Sequence, residues 1–278
     1  MKRGYERRLD KSFRDAPVIP FSPRSRLVLF SDCHRGVGNS NDNFLKNQHL
    51  YFAALKHYYA QNYTYIELGD GDELWENRNI HAIREIHNNI FWLLSCFQKQ
   101  GRLYMIYGNH DYELRNSRDF PYHAGIILKG CGFASPMSPA ACPCLEFYLT
   151  HGNQADFLNS TLWRLSRFLV RYIWKPLEQI GILDPTSAAK NYRIKEKSEK
   201  RLNRWAQKNK RCLITGHTHR PVLGTLETHY FNTGSCVHPR CITCIEIADG
   251  SVFLVKWSME SKNSVLYVGR TVLEELSL

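Results

Sequence analysis

The chain has 278 residues, a formal charge of +11, 43% apolar residues and 23% charged residues. That length suits one large domain or a domain carrying an insertion, and the composition excludes a disordered chain or a small disulfide scaffold. No stretch approaches the roughly 18 consecutive apolar residues of a membrane span, and residues 1–20 lack a signal-like apolar core, so a soluble cytoplasmic protein with no transmembrane segment is expected.

Residues 1–25 hold seven Lys/Arg against three Asp/Glu, a charge of +4, and are set apart as a basic N-terminal arm. Arg26 to Ser31 then reads as a short buried strand, because its apolar run is continuous and bounded by polar residues. Leu45, Phe52, Leu55 and Tyr59 recur at helical spacing, with Asn41, Asp42 or Asn43 as the N-cap. Tyr63 to Leu68 is the next strand. Ile83, Ile86, Ile90, Leu93 and Phe97 mark one face of a second helix, and Arg102 to Tyr107 completes a βαβαβ run, the signature of a parallel sheet with helices on its faces.

Past Tyr107 the pattern changes. Strands are predicted at Gly125–Leu128 and Leu145–Thr150, and the core's first part is taken as residues 26–153. Residues 154–210 are helical and read as an inserted cap, within which 157–210 carry +9. On a helix from Asp156, Leu158, Leu162, Leu165, Leu169 and Tyr172 share one face and Arg164, Arg167 and Arg171 the other. Asp184-Pro185-Thr186 breaks it, and a second helix is predicted from Ser187 to Lys210. The core resumes over 211–278 with strands at Cys212–Thr215, Thr228–Phe231, Cys241–Ile247, Val252–Trp257 and Ser264–Val268, Asp249-Gly250 being a hairpin turn. Nine cysteines show no repeated paired CxxC spacing, Cys142 and Cys144 included, and reduced thiols are expected.

The chemistry-bearing residues follow the strands. Asp32-Cys33-His34 comes after the first, Asp70 in Gly69-Asp70-Gly71-Asp72-Glu73 after the second, and Asn109-His110-Asp111 after the third. His151 and the pair His217 and His219 follow two later ones. An α/β sheet presents its strand ends to one crevice, so five segments deliver carboxylate, imidazole and amide groups to one place. Asp-x-His and His-x-His are expected to be extended, with alternate side chains on one side. Mixed nitrogen and oxygen donors suit borderline divalent ions better than calcium.

In their order, SDCHRG, GDGDEL, GNHD, THG and GHTH resemble the calcineurin-like metallophosphoesterase superfamily over about residues 26–257. The resemblance implies a four-layer α/β/β/α sandwich of two mixed sheets with an inserted helical cap. It implies that Asp32, His34 and His219 bind one divalent metal, that Asn109, His151 and His217 bind the other, and that Asp70 bridges them. Manganese is the first expectation, with iron, zinc, cobalt or nickel as alternatives. Asn232-Thr-Gly-Ser235 looks like the turn that many members carry after G-H-x-H.

Phosphoryl transfer needs cations to neutralise the phosphate and lower the pKa of an attacking water, which then attacks phosphorus in line. His110 is left to donate a proton to the leaving oxygen, with Asp111 holding its tautomer. The function read from the sequence is hydrolysis of a phosphodiester or pyrophosphate bond in a small phosphorylated metabolite. Alternatives are a phosphomonoesterase, including a serine/threonine phosphoprotein phosphatase, and a nucleic-acid-binding module with structural metals. The run Glu73-Leu74-Trp75-Glu76 and the helical insertion resemble the UDP-2,3-diacylglucosamine pyrophosphohydrolase branch, which carries arginine where this chain has His110. Trp163, Trp174, Tyr192 and Trp205 are available for stacking in the cap, and His238 and Arg240 for contact with substrate.

Overall fold

The computed structural model describes residues 2–39, 42–133, 145–178 and 191–278. Two sheets face each other. The larger has the order β12-β11-β10-β2-β3-β4-β5, with β2 at Leu27–Phe30, β3 at Thr64–Leu68, β4 at Leu103–Ile106 and β5 at Tyr122–His123, joined by β10 at Cys241–Ala248, β11 at Ser251–Lys262 and β12 at Val265–Ser277. The smaller has the order β1-β6-β7-β8-β9, from Val18–Phe21, Ile126–Gly130, Glu146–Leu149, Cys212–Thr215 and Tyr230–Asn232.

Strand alternation sorts the apolar side chains into layers. Leu27 and Leu29 of β2, with Ile66 and Leu68 of β3, point into the core between the sheets, against Phe147, Ile214 and Phe231. Val28, Phe30, Tyr65 and Met105 point the other way, beneath α2 at Gln48–Ala60 and α4 at Asn88–Lys99. β2, β3 and β4 pair in parallel and are covered on both faces, which is why they read as continuous apolar runs.

The outer face of the smaller sheet is covered by α1 at Gly4–Ser12 and α8 at Tyr192–Asn209. Tyr5, Leu9 and Phe13 of the first pack with Leu202, Trp205 and Ala206 of the second, and Trp205 Nε1 donates to Asp10 at 3.0 Å. The layers are therefore helix, sheet, sheet, helix, as expected.

The segments assigned to the arm and cap sit differently from their sequence division. Residues 4–21 form α1 and the edge strand β1, which pairs in parallel with β6, so this stretch is built into the body. Pro20 is tolerated because β1 is an edge strand. α8, counted with the cap, is the sandwich's own fourth layer. Its predicted start near Ser187, the Asp184-Pro185-Thr186 break, Cys142, Cys144 and Asn41 lie outside the described residues.

What stands over the body as an insertion is a helical path: α5 at Phe157–Ser160, α6 at Trp163–Leu169, a π-turn at Val170–Trp174 and α7 at Lys175–Glu178. Asp156 caps it by accepting from the Leu158 N–H at 3.0 Å. The helix predicted over Ile83–Phe97 is divided into α3 at Ile80–Ile86 and α4, because fully buried His87 turns in to Asp42 at 3.3 Å. The Asp249-Gly250 turn has both φ angles positive, at 51° and 77°, and joins β10 to β11. Beyond it β12 runs to Ser277 rather than ending near Val268.

Candidate metal centre

All the candidate ligands lie just past strands that run in parallel within each sheet. Asp32 and His34 follow β2, Asp70 follows β3, and Asn109 follows β4. His151 follows β7, and His217 and His219 follow β8. Backbone bonds tie the loops together: Asp32 N–H donates to Gly69 O at 3.0 Å, His34 N–H to Asp70 O at 2.9 Å, and Gly216 N–H to His151 O at 2.9 Å.

The local backbone is not the extended one expected for Asp-x-His and His-x-His. Asp32, His34, Asp70, His217 and His219 all adopt left-handed conformations, with φ of 51°, 49°, 52°, 67° and 55°. Such a conformation costs a non-glycine residue on the order of 1–3 kcal/mol and clusters where function enforces geometry. Their side chains converge through tight left-handed turns, not through strand alternation. Gly108 allows Asp70 to approach the backbone: a Cβ there would meet Asp70 Oδ1 at 2.1 Å.

Two groups of donor atoms with no residue in common result: Asp32, His34 and His219 place one ligand atom each within 4.8 Å of one another, and so do Asp70, His151 and His217. A third group among the described residues, His34, Asp70 and His110, is equally close and overlaps both. Asp70 Oδ2 faces both groups, 3.1 Å from His151 Nε2 and 4.0 Å from His34 Nε2. Neighbouring groups aim each ligand. Asp32 Oδ2 accepts from Ser31 Oγ and, at 2.9 Å, from the His217 N–H, which leaves Oδ1 for the centre. His151 Nδ1 pairs with Leu68 O at 2.8 Å, which aims Nε2 inward. Asn232 steadies the loop after β8 by donating from Nδ2 to Gly216 O at 2.7 Å.

Asp32 Oδ1, Asn109 Oδ1, His151 Nε2 and His217 Nε2 are buried with no hydrogen bond, and two of them face only another member of the set, Asp32 Oδ1 at 3.1 Å from His219 Nε2 and His151 Nε2 at 3.1 Å from Asp70 Oδ2. Buried polar atoms are otherwise almost always paired, and leaving one unpaired costs about 1–3 kcal/mol. With Nδ1 donating to Leu68, the lone pair of a neutral His151 meets the Asp70 carboxylate. A proton or a cation has to lie between them, and these residues fit divalent cations. Burial pushes His217 down to about 3, so it stays a neutral lone-pair donor.

Glu73 organises the remaining histidines. Its Oε2 lies 2.8 Å from His34 Nδ1 and its Oε1 lies 2.7 Å from His110 Nδ1. The His110 ring stacks on Trp75, with centroids 4.2 Å apart, and the His110 backbone N–H donates to Asp70 Oδ1 at 2.8 Å. Burial opposes charge on His110, yet Glu73 and Asp70 carry it up to about 9. The role expected of Asp111 is corrected here. Its carboxylate accepts from Gly108 N–H at 2.6 Å and Gly71 N–H at 2.8 Å, so it ties two loops together and leaves His110 to Glu73. Burial and the charges of Asp70 and Asp72 push Asp111 up to about 7.

The inserted helices grip the turn that carries Glu73 and Trp75. Arg171 donates through Nε to Trp75 O at 2.6 Å and through Nη2 to Leu74 O at 2.7 Å, Lys175 pairs with Glu76 at 2.9 Å, and Arg167 pairs with Glu113. Replacing Arg171 by Ala loosens this turn. The expected result is a fall in kcat of about tenfold with metal content unchanged, read by steady-state kinetics beside elemental analysis.

The other residues singled out for substrate contact are scattered. Trp205 is core, 1% exposed, and Tyr192 is 70% exposed. Trp163 packs on Tyr112, with centroids 4.9 Å apart. His238 is hydrogen-bonded to the His219 backbone, and Arg240 is exposed.

Among solved structures, a predicted phosphoesterase from Streptococcus pneumoniae TIGR4 has 14% identity, with 89% of this chain and 98% of that one covered, at a TM-score of 0.39. Vps29 of Cryptosporidium parvum has 13% identity, with 91% and 98% covered, at 0.42. Vps29 of Chaetomium thermophilum has 12% identity, with 91% and 98% covered, at 0.41. These likenesses are too distant to bear on activity. No curated protein matches the chain. The model of the calcineurin-like phosphoesterases matches residues 25–221, without reaching the level of a branch such as the UDP-2,3-diacylglucosamine pyrophosphohydrolases, and the chain belongs to that family of metal-dependent phosphoester hydrolases.

Proposed function

We propose that the protein hydrolyses a phosphodiester or pyrophosphate bond in a small phosphorylated metabolite. The observation that carries this is the set of buried, unpaired donor atoms on Asp32, Asn109, His151 and His217 beside a histidine held for proton transfer by Glu73. Asp32, His34 and His219 would hold one divalent cation and Asn109, His151 and His217 the other, with Asp70 between them. Such cations supply charge neutralisation at phosphate and a nucleophile at neutral pH. The donor set suits manganese first, with iron, zinc, cobalt or nickel as alternatives.

His110 performs the proton step. Raised to about 9, it is protonated at neutral pH. Glu73 takes the Nδ1 proton as a hydrogen bond and leaves Nε2–H to be given to the departing oxygen. Trp75 fixes the ring plane by stacking, so the proton is delivered in one direction.

Assay of the manganese-loaded protein against bis-p-nitrophenyl phosphate, p-nitrophenyl phosphate, UDP-sugars and single-stranded DNA tests the reading. Turnover of the diester or the UDP-sugar above the monoester supports it, and preference for the monoester or for DNA overturns the substrate class. Replacing His110 by Asn is expected to lower kcat about a hundredfold while elemental analysis finds the wild-type metal content. Loss of metal in that variant would instead make His110 a ligand.

A further inference from the structure

The inserted helices are inside out. An amphipathic helix ordinarily buries its apolar stripe and exposes its charges. Here Arg167, Arg171 and Lys175 turn inward to Glu113, to the Leu74 and Trp75 carbonyls and to Glu76. The opposite surface presents Phe157, Leu158, Leu162, Leu165, Phe168 and Ile173 to solvent, each between 38% and 54% exposed. Side chains of this kind, gathered on one short stretch, are what a soluble chain normally hides.

Three arginines lie against this patch. Arg8 sits 5.9 Å from the centroid of the Phe157 ring, Arg164 lies 5.5 Å from that of Trp163, and Arg78 donates to the Tyr172 hydroxyl at 2.7 Å. The carboxylates of Glu113 and Glu76 are taken up by the inward-facing Arg167 and Lys175.

From these two observations we propose that the outward face of residues 157–173 docks on an anionic lipid bilayer. The leucines and phenylalanines enter the boundary between headgroups and acyl chains, and the arginines meet the lipid phosphates. A nucleic acid has no use for a surface of leucines. A second copy applied face to face would bring the arginine rims together, and charge complementarity favours a negative surface over it. Because the same helices hold the Leu74–Glu76 turn, docking places the membrane beside the metal centre's mouth. The binding itself is independent of the catalytic reading.

Flotation of the full chain with vesicles of phosphatidylcholine, with and without phosphatidylglycerol, tests the proposal. The expected result is binding to the phosphatidylglycerol vesicles, weakened by salt, and none to phosphatidylcholine alone. The double variant Leu165→Ser, Phe168→Ser is expected to reduce partitioning roughly tenfold, and Arg164→Glu to reduce it severalfold, with circular dichroism and turnover of a soluble diester unchanged. Failure of the wild type to bind anionic vesicles at low salt overturns the proposal, and so does undiminished binding of the double variant. A wild-type dimer that the double variant converts to monomer, with no vesicle binding, would make the patch an interface between copies.

Discussion

Replacing Asp70 by Asn is expected to lower kcat/KM on the order of a thousandfold or more, the largest loss of activity for any single change in the chain. The carboxylate stands between the two donor groups, 3.1 Å from His151 Nε2 and 4.0 Å from His34 Nε2. Asparagine keeps the shape and the bond that Oδ1 accepts from the His110 N–H, so the loop remains in place. It removes the negative charge that would offset that of the proposed cations, and at least one site is expected to empty. Elemental analysis is expected to find fewer metal ions per chain than in the wild type, with thermal unfolding of the metal-free forms nearly unchanged. Full turnover in the variant would remove Asp70 from the bridging position.

Arg35→Met should have the largest effect on stability. Arg35 is fully buried and donates to Glu67 through Nη1 and Nη2 at 2.9 and 2.8 Å, and to Asp72 through Nε at 2.7 Å. Glu67 also accepts from the Tyr65 hydroxyl at 2.9 Å. Methionine fills much of the volume but leaves two carboxylates buried without their cation, a defect worth about 3–5 kcal/mol. For a chain of this size the melting temperature should fall by roughly 10 °C. The sign with pH follows from burial. Burial already holds the Asp72 carboxyl above its ordinary value, and without the Arg35 guanidinium it rises further, so protonation favours the folded form. The variant's deficit should therefore narrow as pH falls through that raised value and widen above it. A melting temperature equal to the wild type's at neutral pH would contradict this account.

The distribution of legible features follows from range. The strand-end positions of Asp32, Asp70, Asn109, His151 and His217 could be read because each is a local event, an apolar run followed at once by a polar donor. The four layers could be read from the order of strands and helices. Glu73 carried no separable signal for its role, since its two histidine partners come from loops 39 and 37 residues away. Asp111, next in sequence to His110, turns instead to the backbone of Gly71 and Gly108, which adjacency in sequence does not state.

The ends of the sandwich were harder to read. α1 has only Tyr5, Leu9 and Phe13 to mark its buried face, and β1 contains a proline and pairs with a strand more than a hundred residues later. α8 looks like part of the cap by its charge, and only Leu202, Trp205 and Ala206 reveal that it covers the smaller sheet. The inserted helices show the limit of periodicity. Leu158, Leu162 and Leu165 define a face, but a pattern of spacing does not state which face is turned toward the body. The ion pairs of Arg167 and Lys175 decide that.

If the buried atoms of Asp32, Asn109, His151 and His217 belong to a two-cation phosphoesterase centre, activity requires two ions per chain. Stripping the protein with a chelator and titrating manganese back, while following bis-p-nitrophenyl phosphate hydrolysis and bound metal together, tests this. No turnover is expected in the stripped protein, and activity is expected to return as binding approaches two ions per chain. Full turnover without metal, or saturation of activity at one ion, would contradict it.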